Sequence, residues 1–449
     1  MKVVKFGGSS VADAEQIKKV VNIIQQDEER KLIIVSAPGK SKLYDYKITD
    51  QLIKLFEASQ ESNTYDSYLD SILQRFSEII HNLNINQAVL TSIEDSIYSV
   101  LESHLPPEAK LDEMKAIGED SSAKIISAYL TECGMEATYL NPKEAGIIVS
   151  NEPGNAQVLD ESYQQIYKLR KKKGIMVIPG FFGFSKSGEL VTFSRGGSDI
   201  TGSIIAAGVK ADLYENFTDV DSVYTVNPNI VHNPKNIDVL TYKEMRELSY
   251  AGFSVFHDEA LIPAFKANIP VAIKNTNNPQ SEGTYIVAER KQHKQCVVGI
   301  ASDAGFCSLY IHKYLMNREI GFGRKIFEIL EEENISFEHA PSGIDDMSVI
   351  IHEGQLTPEK EEKIINKINH TLQPDTVQIE HGLGLIMIVG EGMLNTVGVT
   401  QKATTALKQA DVNIRMINQG SSEVSMMFGV LEKDINKAIV SLYKVFFAE

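Results

Sequence analysis

MKVVKFGGSS, residues 1–10, runs a short apolar strand through a lysine straight into two glycines and two serines. Paired glycines at a strand end mark a place where something comes close to the backbone. The spacing fits neither GxxxxGK[ST] nor GxGxxG, so this is not a standard nucleotide fingerprint. Its parts still suit phosphate: glycine N–H groups line an anion nest, Ser9 and Ser10 add hydroxyls, and Lys5 adds an ammonium at the strand end. The plainer alternative is a tight strand-to-helix turn, and the stretch alone does not choose between them.

Working outward, residues up to about 290 alternate apolar runs with helical patterns, which predicts an α/β layer on a largely parallel sheet flanked by helices. KVVKF, KLIIVSA, GIIVS, GIMVIPGF, GELVTF, ADLYEN and IPVAIKN read as strands. Helices are predicted at Asp13 to Gln26, Asp112 to Glu132, Asp160 to Lys172 and after Gly197. Residues 43–110 carry only helical periodicity and read as an excursion from the sheet. The polar run ERKQHKQ, Glu289 to Gln295, reads as a domain seam.

Beyond the seam the rhythm changes. Residues Gly321 to Ile351 align without a gap on Gly398 to Phe428, at a constant offset of 77. Five identities in 31 positions are weak by themselves, but helix, apolar strand, glycine turn and second strand also fall in phase. Two copies of one small β-α-β-β module are expected.

The chain has 449 residues and a formal net charge of −16, which opposes nucleic acid or anionic membrane as a partner. Its three cysteines, Cys133, Cys296 and Cys307, show no metal-ligand spacing and no disulfide framework. The N-terminus has no signal-peptide pattern and no apolar run reaches a membrane span, so a cytoplasmic location is expected.

Three further stretches carry possible chemistry. FSRGGSDITGS, Phe193 to Ser203, sets an arginine, two glycines and an aspartate at a strand-to-helix junction, where unpaired N–H groups favour anions. Arg195 can fork onto a carboxylate and Asp199 can orient Lys5 or hold a cation; alternatively Ser198 is an N-cap and Asp199 complements the helix dipole. NFTDVDSVYTVNP, Asn216 to Pro228, follows a strand and reads either as a ligand loop with Tyr224 beside an aromatic base or as a solvated Asx-turn loop. In AIGEDSSAKIISAYL, Glu119 and Asp120 read as a first-turn acid pair or, if Glu119 is buried, as an ammonium site.

Together KFGGSSVAD, VSAPGK with ITDQL, the GED segment, PGFFGF, FSRGGSD, FTDVDSVYTVNP and the tandem repeat with INQGSSEVS resemble the aspartate kinases of the amino acid kinase superfamily, in order and across essentially the whole chain. The resemblance implies a kinase domain at 1–292, a first ACT domain at 303–375, and a second at 296–302 plus 380–449, the first being inserted within the second. It implies transfer of the ATP γ-phosphoryl group to the side-chain carboxylate of L-aspartate, the first step towards lysine, threonine and methionine. Lys5 would be catalytic, with Asp199 holding it. Ser36, Thr49, Glu119, Phe181, Arg195 and Gly197 would form the substrate side. Gly7, Gly8, Ser9, Thr218, Asp219 and Tyr224 would join Lys5 on the nucleotide, with Mg²⁺ carried mainly by the phosphates. Asn229 and Asn277 depart from the arginine and lysine of many relatives. The repeat would bind an amino-acid effector, lysine or threonine, at Met316, Gly321, Phe322, Gly323, Glu338, Asp345 and Asp346, in a homodimer or dimer of dimers. A catalytically idle amino-acid sensor is the competing class, and the retained Lys5, Arg195 and Asp199 argue against it.

Overall fold

In the computed structural model, which describes residues 1–61, 65–194, 196–253, 259–290, 295–394, 396–420, 422 and 424–448, Val3, Val4 and Phe6 of the first strand are wholly inaccessible. Neighbouring strand residues point to opposite faces, so burial at consecutive positions means that both faces are covered, as in parallel sheets. The chain forms two compact units, one of residues 1–223, 236–246 and 254–291 and the other of 224–235, 247–253 and 292–449.

The strands of the first unit are β1 Lys2–Phe6, β2 Arg30–Val35, β3 Ala137–Tyr139, β4 Ile175–Pro179, β5 Phe182–Phe184, β6 Leu190–Thr192, β7 Leu213–Thr218, β8 Val239–Thr241, β9 Val271–Asn275 and β10 Thr284–Val287. Eight of them form a sheet in the order β3-β4-β2-β1-β7-β9-β10-β8, while β5 and β6 form a separate hairpin. The pairs from β3 to β9 are parallel, and β10 runs antiparallel to β9.

Helices α1 Ala14–Gln25, α2 Ile48–Glu61, α3 Asp66–Leu83, α4 Ala88–Glu102, α5 Pro107–Glu132, α6 Pro142–Ala145, α7 Asp160–Tyr167, α8 Gly197–Val209, α9 Tyr242–Tyr250 and α10 Ile262–Lys266 complete this part of the chain. Helix α1 starts where expected because the Asp13 carboxylate accepts the Gln16 N–H at 3.0 Å. The excursion is α2, α3 and α4, whose apolar stripes join α1 and α5 in one core through Leu52, Phe76, Ile80, Ile93 and Ile97.

Several local expectations shift. GIIVS contributes only isolated bridges at Ile148 and Val149, and within GIMVIPGF the strand is β4 alone, Ile175–Pro179, with the β5–β6 hairpin starting just after it at Phe182. Helix α5 begins at Pro107 rather than Asp112; the buried Asp112 carboxylate instead accepts the Thr192 N–H at 2.9 Å and the Gly154 N–H at 2.8 Å. The short strands β3, β8 and β10 carried too few residues to show a period.

In the second unit β11 Gly299–His312, β12 Asp346–His352, β13 Thr376–Val389, β14 Met416–Gln419 and β15 Ser425–Leu431 make one antiparallel sheet in the order β12-β11-β13-β15-β14. Helices α11 Phe322–Glu332, α12 Pro358–Leu372, α13 Val399–Gln409 and α14 Ile435–Phe446 accompany it. The repeat is physical: α11 and α13, like α12 and α14, begin 77 residues apart. Both α11 and α13 follow a left-handed glycine, Gly321 at φ 81° and Gly398 at φ 91°, a conformation that only glycine adopts without strain. Both are followed by a left-handed polar residue, Asn334 and Asp411, each at φ 53°. Each repeat has its own core, one around Ile326, Leu330 and Ile368, the other around Ala403, Leu407 and Ile439. The early part of β11 pairs with the late part of β13, Ile300 opposite Ile388, and that part of β13 pairs with β15. The start of β11 thereby lies beside the part of β13 that carries β15.

Candidate active site

Strand β1 is where the chain changes direction across the sheet: it proceeds first to β2 on one side and only later to β7 on the other. Ligands in open α/β sheets bind beyond the carboxyl ends of the strands at such a switch point. Lys5 lies there, opposite Asn216 of β7, and paired parallel residues share a face. The buried Lys5 Nζ stands 2.7 Å from Asp199 Oδ1 in the first turn of α8. Asn216 Nδ2 donates to the same oxygen at 2.6 Å, and the Tyr214 hydroxyl donates to the Asp199 carbonyl at 3.3 Å. Asp199 is thus held from two sides and aims the ammonium. Ser198 is the second residue of α8, not its cap; Gly196 occupies that position at φ 75°. Arg195 lies outside the described residues.

After β1 the chain turns through a 3-10 segment, Gly8–Val11. The Gly7 N–H is spent on the Phe217 carbonyl at 3.0 Å, which leaves the Gly8 and Ser9 N–H groups as the turn's leading donors. A Cβ on Gly7 would lie 3.5 Å from Lys5 Nζ, so the ammonium sits directly over this turn. Ser10 is turned away and shares a 2.7 Å hydrogen bond with the Thr276 hydroxyl. The loop after β2 meets the turn backbone to backbone: Gly39 N–H donates to Gly8 O at 2.8 Å, and a Cβ on Gly39 would fall 2.6 Å from Gly8 C.

Glu119 is buried in the middle of α5, which removes the first-turn reading. Its carboxyl is pushed up to about 8 by burial, against the opposing pull of the Ala37 N–H, its own N–H, the Lys5 charge and the Ser198 hydroxyl. Oε2 has no partner among the described residues. An unsatisfied buried carboxyl oxygen close to a lysine leaves room for a donor or cation brought by a ligand. Asp120, one residue on, points elsewhere and binds Lys124 at 2.9 Å and the Tyr139 hydroxyl.

On the other side of α8, Phe181 adopts φ 78°, an unusual conformation for an aromatic residue, costing on the order of 1–3 kcal/mol. It is held by its N–H on Thr201 Oγ1 at 3.0 Å and by its carbonyl, which accepts the Phe193 N–H at 2.8 Å. A Cβ on Gly197 would lie 2.5 Å from the Phe181 ring, and one on Gly180 would lie 2.7 Å from Ser198 Oγ. Ring, glycine and serine therefore close in contact around the start of α8.

Ser36 follows β2 and Thr49 is the second residue of α2; both are half-buried. Thr218 ends β7 and donates to the exposed Asp219 carboxylate at 3.2 Å. Asp221 accepts from the Asn275 and Asn278 side-chain amides at 2.8 and 3.2 Å, bracing that loop to the end of β9. Asn277 Oδ1 accepts from Lys19 Nζ at 2.7 Å, so α1 brings a cation to this departing position. Tyr224 is half-buried and Asn229 exposed, and their segment belongs to the second unit, where Val226 enters the core. The sequence reads Ser198 only as a possible N-cap and shows no role for Asn216 or the Ala37 N–H, because only the pairing of β1 with β7 and the packing of α5 reveal their aim.

In the second unit Gly321 caps α11, and Asp345 Oδ1 accepts the Leu315 N–H at 2.8 Å beside Met316. Phe322 is a core side chain, while Gly323 lies 3.9 Å, at its ideal Cβ, from Met347. Asp346 opens β12, where a Cβ on Gly343 would fall 2.6 Å from its carboxylate. Glu338 accepts the Tyr250 hydroxyl.

The sequence model of the amino acid kinase family matches residues 1–275, and that of the ACT domain matches residues 386–446. Aspartokinase 3 of Bacillus subtilis (strain 168) is 57% identical over 449 residues, covering 100% of this chain and 99% of the relative. The structure of aspartate kinase from Clostridium acetobutylicum superposes with a TM-score of 0.88 at 41% identity, covering 99% of this chain and 100% of that one. Escherichia coli aspartokinase III in complex with aspartate and ADP shares the fold, with a TM-score of 0.79 at 24% identity and 100% coverage of both chains. A lysine set at the switch point, an unpaired buried carboxylate facing it, and full-length likeness to these proteins place the chain in the amino acid kinase family, among its aspartokinases.

Proposed function

We propose that the chain transfers the γ-phosphoryl group of ATP to the side-chain carboxylate of L-aspartate, giving 4-phospho-L-aspartate and ADP. The observation that carries this reading is the pair Lys5 and Glu119: a fixed cation for phosphate and an unsatisfied carboxylate for an ammonium, within electrostatic reach of each other. The acceptor carboxylate has a pKa of about 3.9, so it attacks as the anion and needs no general base. The difficulty is bringing two anions together, which calls for cations and N–H dipoles around a loose, in-line transition state. Lys5, with the Gly8 and Ser9 N–H groups, meets the transferring phosphoryl, and Asp199 keeps the ammonium aimed. Glu119 takes the substrate ammonium, Arg195 forks onto its carboxylate, and Ser36, Thr49, Phe181 and Gly197 shape that side. Thr218, Asp219 and Tyr224 serve the nucleotide. Mg²⁺ on the phosphates would supply charge neutralisation; Asp219, exposed just after β7, forms no ion pair among the described residues, which fits a metal held mainly by phosphate oxygens.

The ACT repeat supports feedback control by an end-product amino acid, lysine or threonine, bound near Gly321, Asp345 and Asp346 of a homodimer or dimer of dimers. Such an effector favours a less competent kinase state. A cytoplasmic setting and a place at the head of lysine, threonine and methionine synthesis accompany this reading. Among the described residues no helix is long and apolar enough to cross a membrane.

Release of ADP with aspartate, glutamate and N-acetylglutamate as acceptors tests the reaction. Turnover with aspartate alone supports it, and no turnover or a preference for another acceptor overturns it. Adding lysine or threonine to the same assay tests the effector, and full activity with both removes it.

A further inference from the structure

Arg75 of α3 is wholly inaccessible to solvent, yet no carboxylate forms an ion pair with it among the described residues. Its guanidinium is held by carbonyls and rings instead. Nη1 donates to Tyr46 O at 2.9 Å, and Nη2 donates to Ala12 O at 2.9 Å and to Gly39 O at 2.5 Å. Cζ lies 4.4 Å from the Tyr44 ring centroid and 5.3 Å from that of Tyr46. The Tyr44 hydroxyl donates to Glu78, one turn along α3, and the Tyr46 hydroxyl pairs with Ser71 Oγ at 3.0 Å. A buried cation without an anionic partner is costly. What it joins makes that cost intelligible.

The three carbonyls come from three segments of the site. Ala12 closes the 3-10 turn whose leading N–H groups would meet phosphate in the proposed reaction. Gly39 belongs to the loop that abuts Gly8 and whose Ala37 N–H is directed at Glu119. Tyr46 lies two residues before α2, which brings Thr49. The loop at 37–39 has no slack on its other side: a Cβ on Gly118 would be 2.6 Å from Ala37 Cβ.

We propose that Arg75 is a positioning residue for phosphoryl transfer, a planar fork that sets the separation between the phosphate turn and the aspartate-binding loop by holding both from behind. This rests on the kinase reading above. The fork geometry is what the task needs, since one rigid plane fixes three acceptors relative to each other, whereas a lysine ammonium on a flexible stem does not. A displacement of about 1 Å between reacting groups is worth about a hundredfold in rate. The excursion of α2 to α4 thereby acquires a function beyond burying its own apolar stripe.

The test compares full-length wild type with Arg75→Lys and Tyr44→Leu by steady-state kinetics in aspartate and ATP, together with thermal unfolding. Absence of aspartate-dependent ADP release in the wild type would sink the kinase reading itself. With the wild type active, Arg75→Lys should retain cooperative unfolding while kcat/KM for aspartate falls at least about tenfold per folded active site. If it loses stability but keeps wild-type kcat and KM per folded site, Arg75 is structural only and the proposal fails. Should Arg75→Lys not accumulate folded, Tyr44→Leu, which removes a half-buried ring from the guanidinium and leaves the carbonyls intact, decides the matter: a loss in kcat/KM of about threefold or more supports positioning, and unchanged kinetics refutes it.

Discussion

Glu119 makes aspartate binding depend on pH in a way that follows from burial. Only the ionised carboxylate pairs with the substrate ammonium as an ion, so the affinity should track the ionised fraction. With the carboxyl pushed up to about 8, that fraction is about one in a hundred at pH 6, about one in eleven at pH 7 and about one half at pH 8. KM for aspartate should therefore fall about ninefold from pH 6 to pH 7 and about fivefold more by pH 8, or roughly 1.3 and 1 kcal/mol of apparent binding free energy. The assay is initial-rate ADP release at saturating ATP across that range, with Glu119→Gln as control; the variant should bind aspartate weakly and show little pH slope. Stability supplies an independent check. Since the folded chain holds this proton more tightly than the unfolded one, whose carboxyl sits at 4.5, the stabilising contribution is full below about pH 4.5 and is lost as pH rises towards 8. Glu119→Gln should therefore gain in Tm relative to wild type between pH 5 and pH 8. A KM that is flat from pH 6 to pH 8, or an equal slope in the glutamine variant, would refute the reasoning.

Lys5→Ala should lower kcat by several orders of magnitude with a modest change in KM, measured by steady-state kinetics; near-normal turnover would remove Lys5 from the chemistry. Asn216→Leu takes one of two partners from Asp199 Oδ1, so kcat should fall about tenfold or more while KM for ATP moves little, and an unchanged kcat would show that the salt bridge alone aims Lys5. Gly39→Ala drives a methyl to 2.6 Å from the Gly8 backbone, and urea unfolding should register a loss of about 1–3 kcal/mol; wild-type stability would mean that the loop yields freely.

Much of the architecture was legible because it repeats short physical rules. KVVKF read as a strand of a largely parallel sheet and is one, and the offset of 77 carried into helix starts and left-handed corners of both modules. Boundaries failed where several meanings share one residue type. Asp112 has a helix-starting composition, but its carboxylate is used to hold Thr192 and Gly154, and Pro107 opens the helix instead. GIIVS has strand composition but contributes only bridges at Ile148 and Val149.

Residue types and their order determined the class of chemistry by themselves: a lysine before paired glycines, an acid in a small-residue helix, and a duplicated tail, all of which are local and survive as text. Which groups meet was decided only by the fold. Asn216 aims Asp199, Ser198 faces Glu119, and Arg75 clasps carbonyls at 12, 39 and 46, contacts whose partners lie up to 79 residues apart. Charge, burial and hydrogen bonding act through space within a few ångströms, and separation along a chain carries no measure of that distance until the strands have paired and the helices have packed.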